Sequence, residues 1–306
     1  MLFFVPLQKI SRTSLYGRNP LQLVLACCFG VIPWSLAFGD VSPKGLTSTN
    51  VQGTYSEADG VWKGKTFTSY NKGRVRKLEG IVSQSVGISQ ETQMDWHIAY
   101  AQAKIVKSDT LGLKKGSSRS GVQEAGFHLT RKLYMGHNLG VNGIAGFRAA
   151  GNDASGNEIL SLNDNATKYD AGLALSYSIE DSVRLGLKYQ HSRRPSKYQS
   201  PTNLLEISAS YSAEWGTLSA FGGWFSTVKG LDLGSPAFAG RLKKIGEPPF
   251  SEVKESYKSA GLSYQLPITD ALGISVFYSK KLSGANTDRS QGVGLGLTHY
   301  CWQEET

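Results

Sequence analysis

Residues 203–215 read NLLEISASYSAEW, and this stretch decides the fold class of the chain. Its positions alternate between apolar and polar side chains. The apolar ones are Leu205, Ile207, Ala209, Tyr211, Ala213 and Trp215, and the polar ones are Glu206, Ser208, Ser210, Ser212 and Glu214. Successive side chains of a β-strand point to opposite faces of the sheet, so the alternation predicts a strand with one apolar and one polar face.

The same alternation recurs after residue 60 and predicts twelve strands. They cover residues 61–73, 77–89, 94–107, 120–133, 139–151, 166–179, 183–194, 203–214, 217–229, 255–266, 271–283 and 289–301. A tilted strand needs about 9–11 residues to cross a bilayer, whereas the strands of soluble sandwiches are usually about 5–6 residues long. The predicted fold class is therefore all-β, a transmembrane antiparallel β-barrel of about 12 strands.

The predicted connections differ in length between the two ends of the barrel. Short turns at 90–93, 134–138, 180–182, 215–216 and 267–270 alternate with longer polar loops at 108–119, 152–165, 195–202 and 230–254. Outer-membrane barrels have short periplasmic turns and long extracellular loops, so this pattern favours such a barrel. The alternative is a soluble, secreted all-β protein whose apolar strand faces form a core.

The composition of the chain argues against two classes of protein. Its 306 residues are 40% hydrophobic and include 6 Trp, 14 Tyr and 12 Phe, which is too much apolar surface for a wholly disordered chain. The net charge is +9, but the positive residues are scattered rather than gathered into one stripe. No nucleic-acid partner is therefore expected.

The first 37 residues have the features of an export signal. Lys9, Arg12 and Arg18 form a positive region, residues 21–36 are apolar and uncharged, and residues 35–37 (Ser-Leu-Ala) offer the small side chains that signal peptidase reads. We predict cleavage after residue 37, with residue 39 as second choice. An uncleaved anchor and a lipoprotein are the alternatives. The predicted localisation is the outer membrane of a Gram-negative bacterium.

The rest of the chain divides into three regions. Residues 38–60 are a polar N-terminal segment, residues 61–302 form the barrel, and residues 303–306 form a polar tail. Within the barrel, the 230–254 loop is the longest and mixes apolar with basic side chains. Unstructured loops of this length are uncommon unless functional, so it is predicted to constrict or cover the mouth. A plain surface loop is the alternative.

Two predicted short-turn hairpins share a pattern. Residues 177–187 read YSIEDSVRLGL, and residues 264–274 read YQLPITDALGI. In each, a short acidic turn follows an aliphatic residue and leads into an apolar, glycine-containing strand. The pattern resembles the outer-membrane transporter family named for the meta-pathway of phenol degradation, which is akin to fatty-acid and aromatic-compound channels. This resemblance covers about residues 77–300 and implies uptake of a small, aromatic or hydrophobic compound. An N-terminal segment plugs the lumen of fatty-acid-type channels, so the resemblance also makes residues 38–60 a candidate plug.

The end of the chain resembles a barrel-assembly signal. Residues 290–297 read SQGVGLGL, but the chain continues through residues 298–302 to the polar tail instead of ending on Phe. The expected partners are the lipid bilayer with its lipopolysaccharide, the barrel-assembly machinery and a small-molecule solute.

If the apolar faces meet lipid, the polar faces line the lumen. The lumen-lining candidates are Asp95, His97, Glu124, His128, Lys132, Asn142, Arg148, Asp170, Arg184, Lys188, Glu206 and Glu214. Charges in a narrow barrel mostly pair across strands, and their balance selects solutes. Pairing residue 107 with residue 120 would place Asp95 opposite Lys132, and His97 opposite Thr130.

The two histidines, His97 and His128, have two interpretations. The favoured one is a lumenal hydrogen-bond network, and the other is a metal site or a catalytic base. No serine is marked as a nucleophile by its spacing. The sequence also lacks a phosphate-binding loop, a Cys-x-x-Cys pair and a His-Glu-x-x-His helix. We therefore expect no enzyme activity, no catalytic or metal site and no cofactor.

The predicted function is passive uptake of a small, aromatic or hydrophobic solute through an outer-membrane channel. The alternative is a closed structural or adhesive barrel whose extracellular loops bind a ligand.

Overall fold

The computed structural model of the chain describes residues 41–70, 73–107, 118–151, 167–195, 200–233, 235–245 and 252–302. The predicted signal peptide and the predicted polar tail lie outside these ranges. Within them, no helix has the length and apolar character that a membrane span requires.

The described residues form thirteen strands and one helix. The strands are β1 (Leu46–Lys63), β2 (Thr66–Ser69), β3 (Arg74–Gly87), β4 (Thr92–Lys107), β5 (Ser118–Met135), β6 (Leu139–Ala150), β7 (Lys168–Glu180), β8 (Val183–Arg193), β9 (Thr202–Ala213), β10 (Gly216–Thr227), β11 (Ser256–Thr269), β12 (Leu272–Ala285) and β13 (Asp288–Trp302), and the helix is α1 (Pro236–Ile245). All except β2 and α1 belong to the barrel wall.

Twelve strands close into one antiparallel barrel, which confirms the predicted fold class. Each wall strand pairs with the next one along the chain, and the short β2 pairs only with the far end of β1. β13 returns to pair with β1 and closes the sheet, from Leu46 opposite Trp302 to Val61 opposite Asp288. Closure gives each described wall strand a partner on both sides, so its backbone groups are satisfied without water.

The barrel is apolar outside and polar inside, the reverse of a soluble domain. Exposed apolar side chains include Leu78, Ile98, Phe127, Leu173, Ile207, Leu262 and Leu295, and buried polar side chains include Asn50, Ser83, His128, Asp170, Gln190, Ser219 and Thr298. The two sets alternate along the strands. This inversion is typical of a barrel whose outer face meets lipid.

The two ends of the barrel differ as predicted. At one end, called here the turn end, the connections are residues 88–91, 136–138, 181–182, 214–215 and 270–271. The opposite end, called the loop end, carries the longer connections and α1. The longest of them spans residues 228–255 between β10 and β11.

The prediction of a first strand at 61–73 is wrong, and residues 46–60 of the predicted plug lie in the barrel wall instead. Residues 46–58 lie in the wall, paired with β13 on one side and β3 on the other. Residues 60–69 form the β1–β2 hairpin at the loop end. The alternation of β1 is hard to see in the sequence because its outward positions include Thr49 and Gly53, which offer little apolar surface.

A short segment before β1 does rest on the inner wall at the turn end. The Ser42 N–H donates to Gln93 Oε1 at 2.8 Å, and the Gly45 N–H donates to the Gly87 carbonyl at 2.9 Å. Val41 is buried. A Cβ on Gly87 would lie 2.0 Å from the Pro43 carbonyl oxygen, so only glycine leaves room for this contact. Among the described residues of the predicted plug, only these few lie inside the barrel.

Lipid contact on the outer face predicts a depth-dependent cost of charge. Leu295, 66% exposed, lies halfway along β13, whereas Leu282, 60% exposed, lies near the loop end of β12. Leu295→Arg is expected to lower the free energy of unfolding by about 2–4 kcal/mol and Leu282→Arg by about 0–1 kcal/mol. Urea unfolding of the protein refolded into lipid vesicles measures both. Equal costs would contradict a lipid-facing outer wall.

Candidate functional site

The inward-facing residues of β3–β9 form one side of the lumen, which we call the charged wall. A bidentate ion pair stabilises it. Arg148 on β6 donates from Nε to Asp170 Oδ2 at 2.7 Å and from Nη2 to Asp170 Oδ1 at 2.9 Å. Arg148 also donates to Ser192 Oγ on β8 at 3.1 Å. Charge-assisted bidentate bonds are among the strongest in proteins. This pair therefore ties three neighbouring strands together.

Two stacked imidazoles extend the network. The rings of His97 and His128 lie 6.0 Å apart at an interplanar angle of 12°. His97 Nε2 is 3.4 Å from Glu124 Oε1, and His128 Nε2 is 3.0 Å from Asp170 Oδ2. Glu124 in turn lies 3.6 Å from Arg148 Nη1. The favoured sequence interpretation, a lumenal network, describes this arrangement.

The predicted register of β4 on β5 is wrong. Asp95 lies opposite His128, and His97 lies opposite Gly126, because the strands pair from Lys104 and Ser118 and a bulge adds one residue to β5. Lys132 is therefore separated from Asp95, and its Nζ donates to the Gln90 carbonyl at the turn end, at 3.0 Å. Asp95 instead accepts hydrogen bonds from the Ser85 hydroxyl and the Gln93 amide.

The other lumen-lining candidates separate into wall residues and one exception. Lys188 and Glu206 form an ion pair with Nζ 3.1 Å from Oε2, while Asn142 and Arg184 lie on the inward-facing positions of β6 and β8. The prediction that Glu214 lines the lumen is wrong, because β9 ends before this residue and Glu214 lies exposed in the β9–β10 turn. Among the described residues, no group of three or more His, Cys, Asp or Glu side chains is placed to hold a metal ion.

The inward-facing residues of β10–β13 form the opposite side of the lumen, which we call the aromatic wall. In this wall, aromatic rings pack on glycines of the neighbouring strand. A Cβ on Gly261 would lie 2.3 Å from Phe221 Cζ, and a Cβ on Gly294 would lie 2.1 Å from Phe277 Cζ. Each glycine is the register partner of its phenylalanine on the next strand. The rings therefore lie along the wall and not across the lumen.

The two lumenal histidines follow the same rule on the charged wall. The ring of His97 occupies the space beside Gly126, and the ring of His128 occupies the space beside Gly146. Both glycines are again the register partners on the next strand. The sequence alone does not predict this pairing, because an aromatic residue and its glycine are related only through the strand register.

The aromatic wall continues to the loop end. The rings of Phe225 and Tyr257 stack 5.0 Å apart, and Lys281 Nζ lies 4.4 Å from the Tyr257 ring centroid. Lys281 also forms an ion pair with Asp288. Tyr70, which follows β2, is buried beside this group, and its burial, reinforced by the Asp288 carboxylate, raises the pKa of Tyr70 to about 12.

The predicted mouth loop is a folded element in its described parts, residues 228–233, 235–245 and 252–255. A parallel bridge joins Leu231 to Val253, so the outgoing and returning legs lie side by side. The helix α1 is fastened to the returning leg, because Arg241 donates to Glu252 Oε1 from Nη2 at 2.7 Å and from Nε at 3.0 Å. The mouth loop thus holds its own shape.

The chain is similar in structure to an outer-membrane channel from Pseudomonas putida F1. The alignment has a TM-score of 0.70 at 12% sequence identity and covers 89% of this chain and 100% of that chain. The porins NanC and KdgM align with TM-scores of 0.48 and 0.47 at 10% and 7% identity, covering 83% and 82% of this chain and 98% of each porin.

No protein-family model matches the sequence, and no curated protein does. The resemblance to the phenol meta-pathway family therefore stays a prediction. The similarity to the Pseudomonas channel shows the fold, which is that of an outer-membrane β-barrel.

The contact between Phe277 and Gly294 predicts coupled effects on stability. Gly294→Ala places a methyl group inside the Phe277 ring and is expected to destabilise the barrel, while adding Phe277→Ala removes the clash. We expect the double variant to deviate from additivity by about 0.5–3 kcal/mol in urea unfolding. The control is Gly53→Ala on the outer face, where a Cβ meets nothing within 4 Å. Additive free energies would contradict the packing.

The buried ion pair predicts a large cost for losing one charge. Asp170→Asn leaves the Arg148 guanidinium without its bidentate carboxylate and is expected to lower the free energy of unfolding by about 3–5 kcal/mol. Glu91→Gln is the matched control, because the Glu91–Arg131 pair spans 3.9 Å and is well exposed. That exposed pair is expected to contribute about 0–1 kcal/mol. Similar losses for both variants would show that the lumenal pair is not structural.

Proposed function

We propose that the protein is a channel of the outer membrane of a Gram-negative bacterium and admits a small aromatic or hydrophobic solute passively. The observation that carries the proposal is that inward-facing rings and charged groups lie along the wall, on glycines and in ion pairs. Side chains held in this way lie along the wall rather than across the lumen, and this supports a conducting interior.

The strand number and the small inward residues support an interior with room for a solute. A barrel of about 8 strands is just filled by its own side chains, and the interior widens as strands are added. This barrel has twelve, and many of its inward positions are small: Ala99, Ala101, Ala103, Ser208, Ser210, Ser212, Gly292, Gly294 and Gly296. Small side chains at these positions take up less of the interior than large ones would.

The aromatic wall supports the class of solute. Phe221, Phe277, Phe225 and Tyr257 follow one side of the lumen, and at least the first two cover glycine backbone. Because one face of the Phe221 ring and of the Phe277 ring packs on glycine backbone, we expect the other face of each to be directed to the lumen. Aromatic rings prefer offset-stacked or edge-to-face neighbours, so this wall offers successive contacts to an aromatic solute.

The charges of the inner wall favour anions. Among the described inward-facing positions, lysine and arginine outnumber aspartate and glutamate. The cations are Lys77, Arg119, Lys132, Arg148, Lys168, Arg184, Lys188 and Lys281, and the carboxylates are Glu79, Asp95, Glu124, Asp170, Glu206 and Asp288. A pore lined by an excess of one sign of charge selects ions of the opposite sign.

The proposal includes the remaining expected partners but no catalytic step. The outer face would contact the lipid bilayer and lipopolysaccharide, and the 290–297 signal, which lies within β13, would be read by the barrel-assembly machinery. His97 and His128 are each placed beside a carboxylate of the ion-pair network. Their proposed role is therefore to stabilise the wall.

Single-channel recording in planar bilayers tests the channel function. We expect discrete, stable conductance steps and, in a salt gradient, a reversal potential that indicates anion preference. Addition of benzoate is expected to reduce the current more than cyclohexanecarboxylate, which carries the same charge without an aromatic ring. A protein that inserts but never conducts would favour the alternative, a closed adhesive barrel.

A charge reversal in the lumen tests the origin of selectivity. Arg184→Glu places a carboxylate on the inward face of β8 and is expected to move the reversal potential toward cation preference. Arg76→Glu is the control, because Arg76 lies exposed on the outer face near the loop end. If both variants keep the wild-type reversal potential, Arg184 does not face the conducting path.

A further inference from the structure

Asn286 has an unusual backbone conformation in the turn between β12 and β13. Among the described residues other than glycine, it alone has a positive φ, 56°. The left-handed region is rarely adopted by L-residues, and Asn tolerates it better than most. Its side chain is only 5% exposed, although the turn is at the loop end of the barrel. A buried amide at such a position needs hydrogen-bond partners.

The Asn286 amide makes four hydrogen bonds. Its Oδ1 accepts from the Gly64 N–H at 2.8 Å and from the Leu233 N–H at 2.9 Å. Its Nδ2 donates to Asp232 Oδ1 and to the Lys254 carbonyl, both at 2.8 Å. Two accepted and two donated bonds use the whole capacity of a carboxamide.

These four bonds join three segments that are distant in sequence. Asp232 and Leu233 lie on the outgoing leg of the mouth loop, Lys254 lies on its returning leg, and Gly64 is in the turn of the β1–β2 hairpin. The two legs also bond to each other, because the Leu231 N–H donates to the Glu252 carbonyl at 2.9 Å. A single side chain thus holds both legs and fastens them to the hairpin.

The attachment is on the lumenal side of the barrel rim. Thr287, the next residue in the turn, donates from Oγ1 to Glu255 Oε1 at 2.6 Å where the mouth loop enters β11. Lys281, an inward-facing residue of β12, donates to the same Thr287 hydroxyl at 3.1 Å. Because these contacts converge on inward-facing side chains, the base of the mouth loop is held against the lumen.

We propose that Asn286 is a latch: it holds the described parts of the mouth loop, which are its two legs and α1, at the extracellular mouth, and its release widens access to the lumen. The helix α1 follows the legs, because Arg241 fastens it to Glu252 on the returning leg. Asn286 is a positioning residue that acts through the loop. The inference rests on the proposed channel function for its effect on transport, while its effect on the loop is independent of that function.

Asn286→Gly is the decisive variant. Glycine adopts the positive φ without strain but removes all four side-chain bonds. Asn138→Gly is the matched control, since Asn138 lies exposed in the turn at residues 136–138, at the other end of the barrel. A third variant replaces residues 232–253 with two glycines, which removes the part of the mouth loop that Asn286 holds.

The first readout is tryptic cleavage at Lys243 and Lys244 of α1 in the folded protein in vesicles. Cleavage of a helix follows its local opening, so Asn286→Gly is expected to accelerate it about tenfold, the change expected when one or two net hydrogen bonds are lost. Asn138→Gly is expected to be cleaved at the wild-type rate. Wild-type cleavage in Asn286→Gly would overturn the latch.

The second readout is the single-channel open fraction. We expect Asn286→Gly to raise it, and to have no effect when combined with the loop replacement. A loop replacement that conducts like the wild type would overturn control of the mouth by this loop. If every protein is silent while cleavage of Asn286→Gly is accelerated, the latch stands and the channel function fails.

Discussion

The structure depends on the pairing of β1 with β13, which turns a sheet into a barrel. A peptide group that meets lipid without a hydrogen-bond partner costs several kcal/mol. An open sheet would expose two such edges. The closing register runs over most of both strands, from Leu46 opposite Trp302 to Val61 opposite Asp288. Once the edges are paired, the outer face is free to be apolar and the inner face to be polar.

Closure also fixes how the inner side chains are arranged. In a closed barrel an inward ring points either across the lumen or along the wall. Here Phe221, Phe277, His97 and His128 lie along it, each beside a glycine of the next strand. Arg148 and Asp170 likewise bond across adjacent strands of the wall. These contacts between adjacent strands stabilise the wall, and they explain why glycine is needed at positions where it would otherwise weaken a strand.

At the loop end, sequence patterns do not predict which residues contact each other. The length of the 230–254 segment predicts a functional loop. The side chain that bonds to both of its legs is Asn286, which lies far along the chain in a two-residue turn. Tyr70 is a similar case, because this aromatic residue follows β2 and lies buried at the loop end. Long-range hydrogen bonds and burial leave no periodic signal.

The sequence by itself determined the barrel, the alternation of its faces and its short and long ends, because period-2 patterning is a local property of each strand. It did not reveal β1, whose outward face has few apolar residues, nor the inclusion of Glu214 in a turn. It misplaced the partners of Asp95 and His97, because one bulge and a shifted loop change the register of a whole strand pair. The tertiary structure alone decided which ring covers which glycine and which amide holds the mouth loop. Those contacts depend on distances between strands that are far apart in the chain, and only a closed barrel sets those distances.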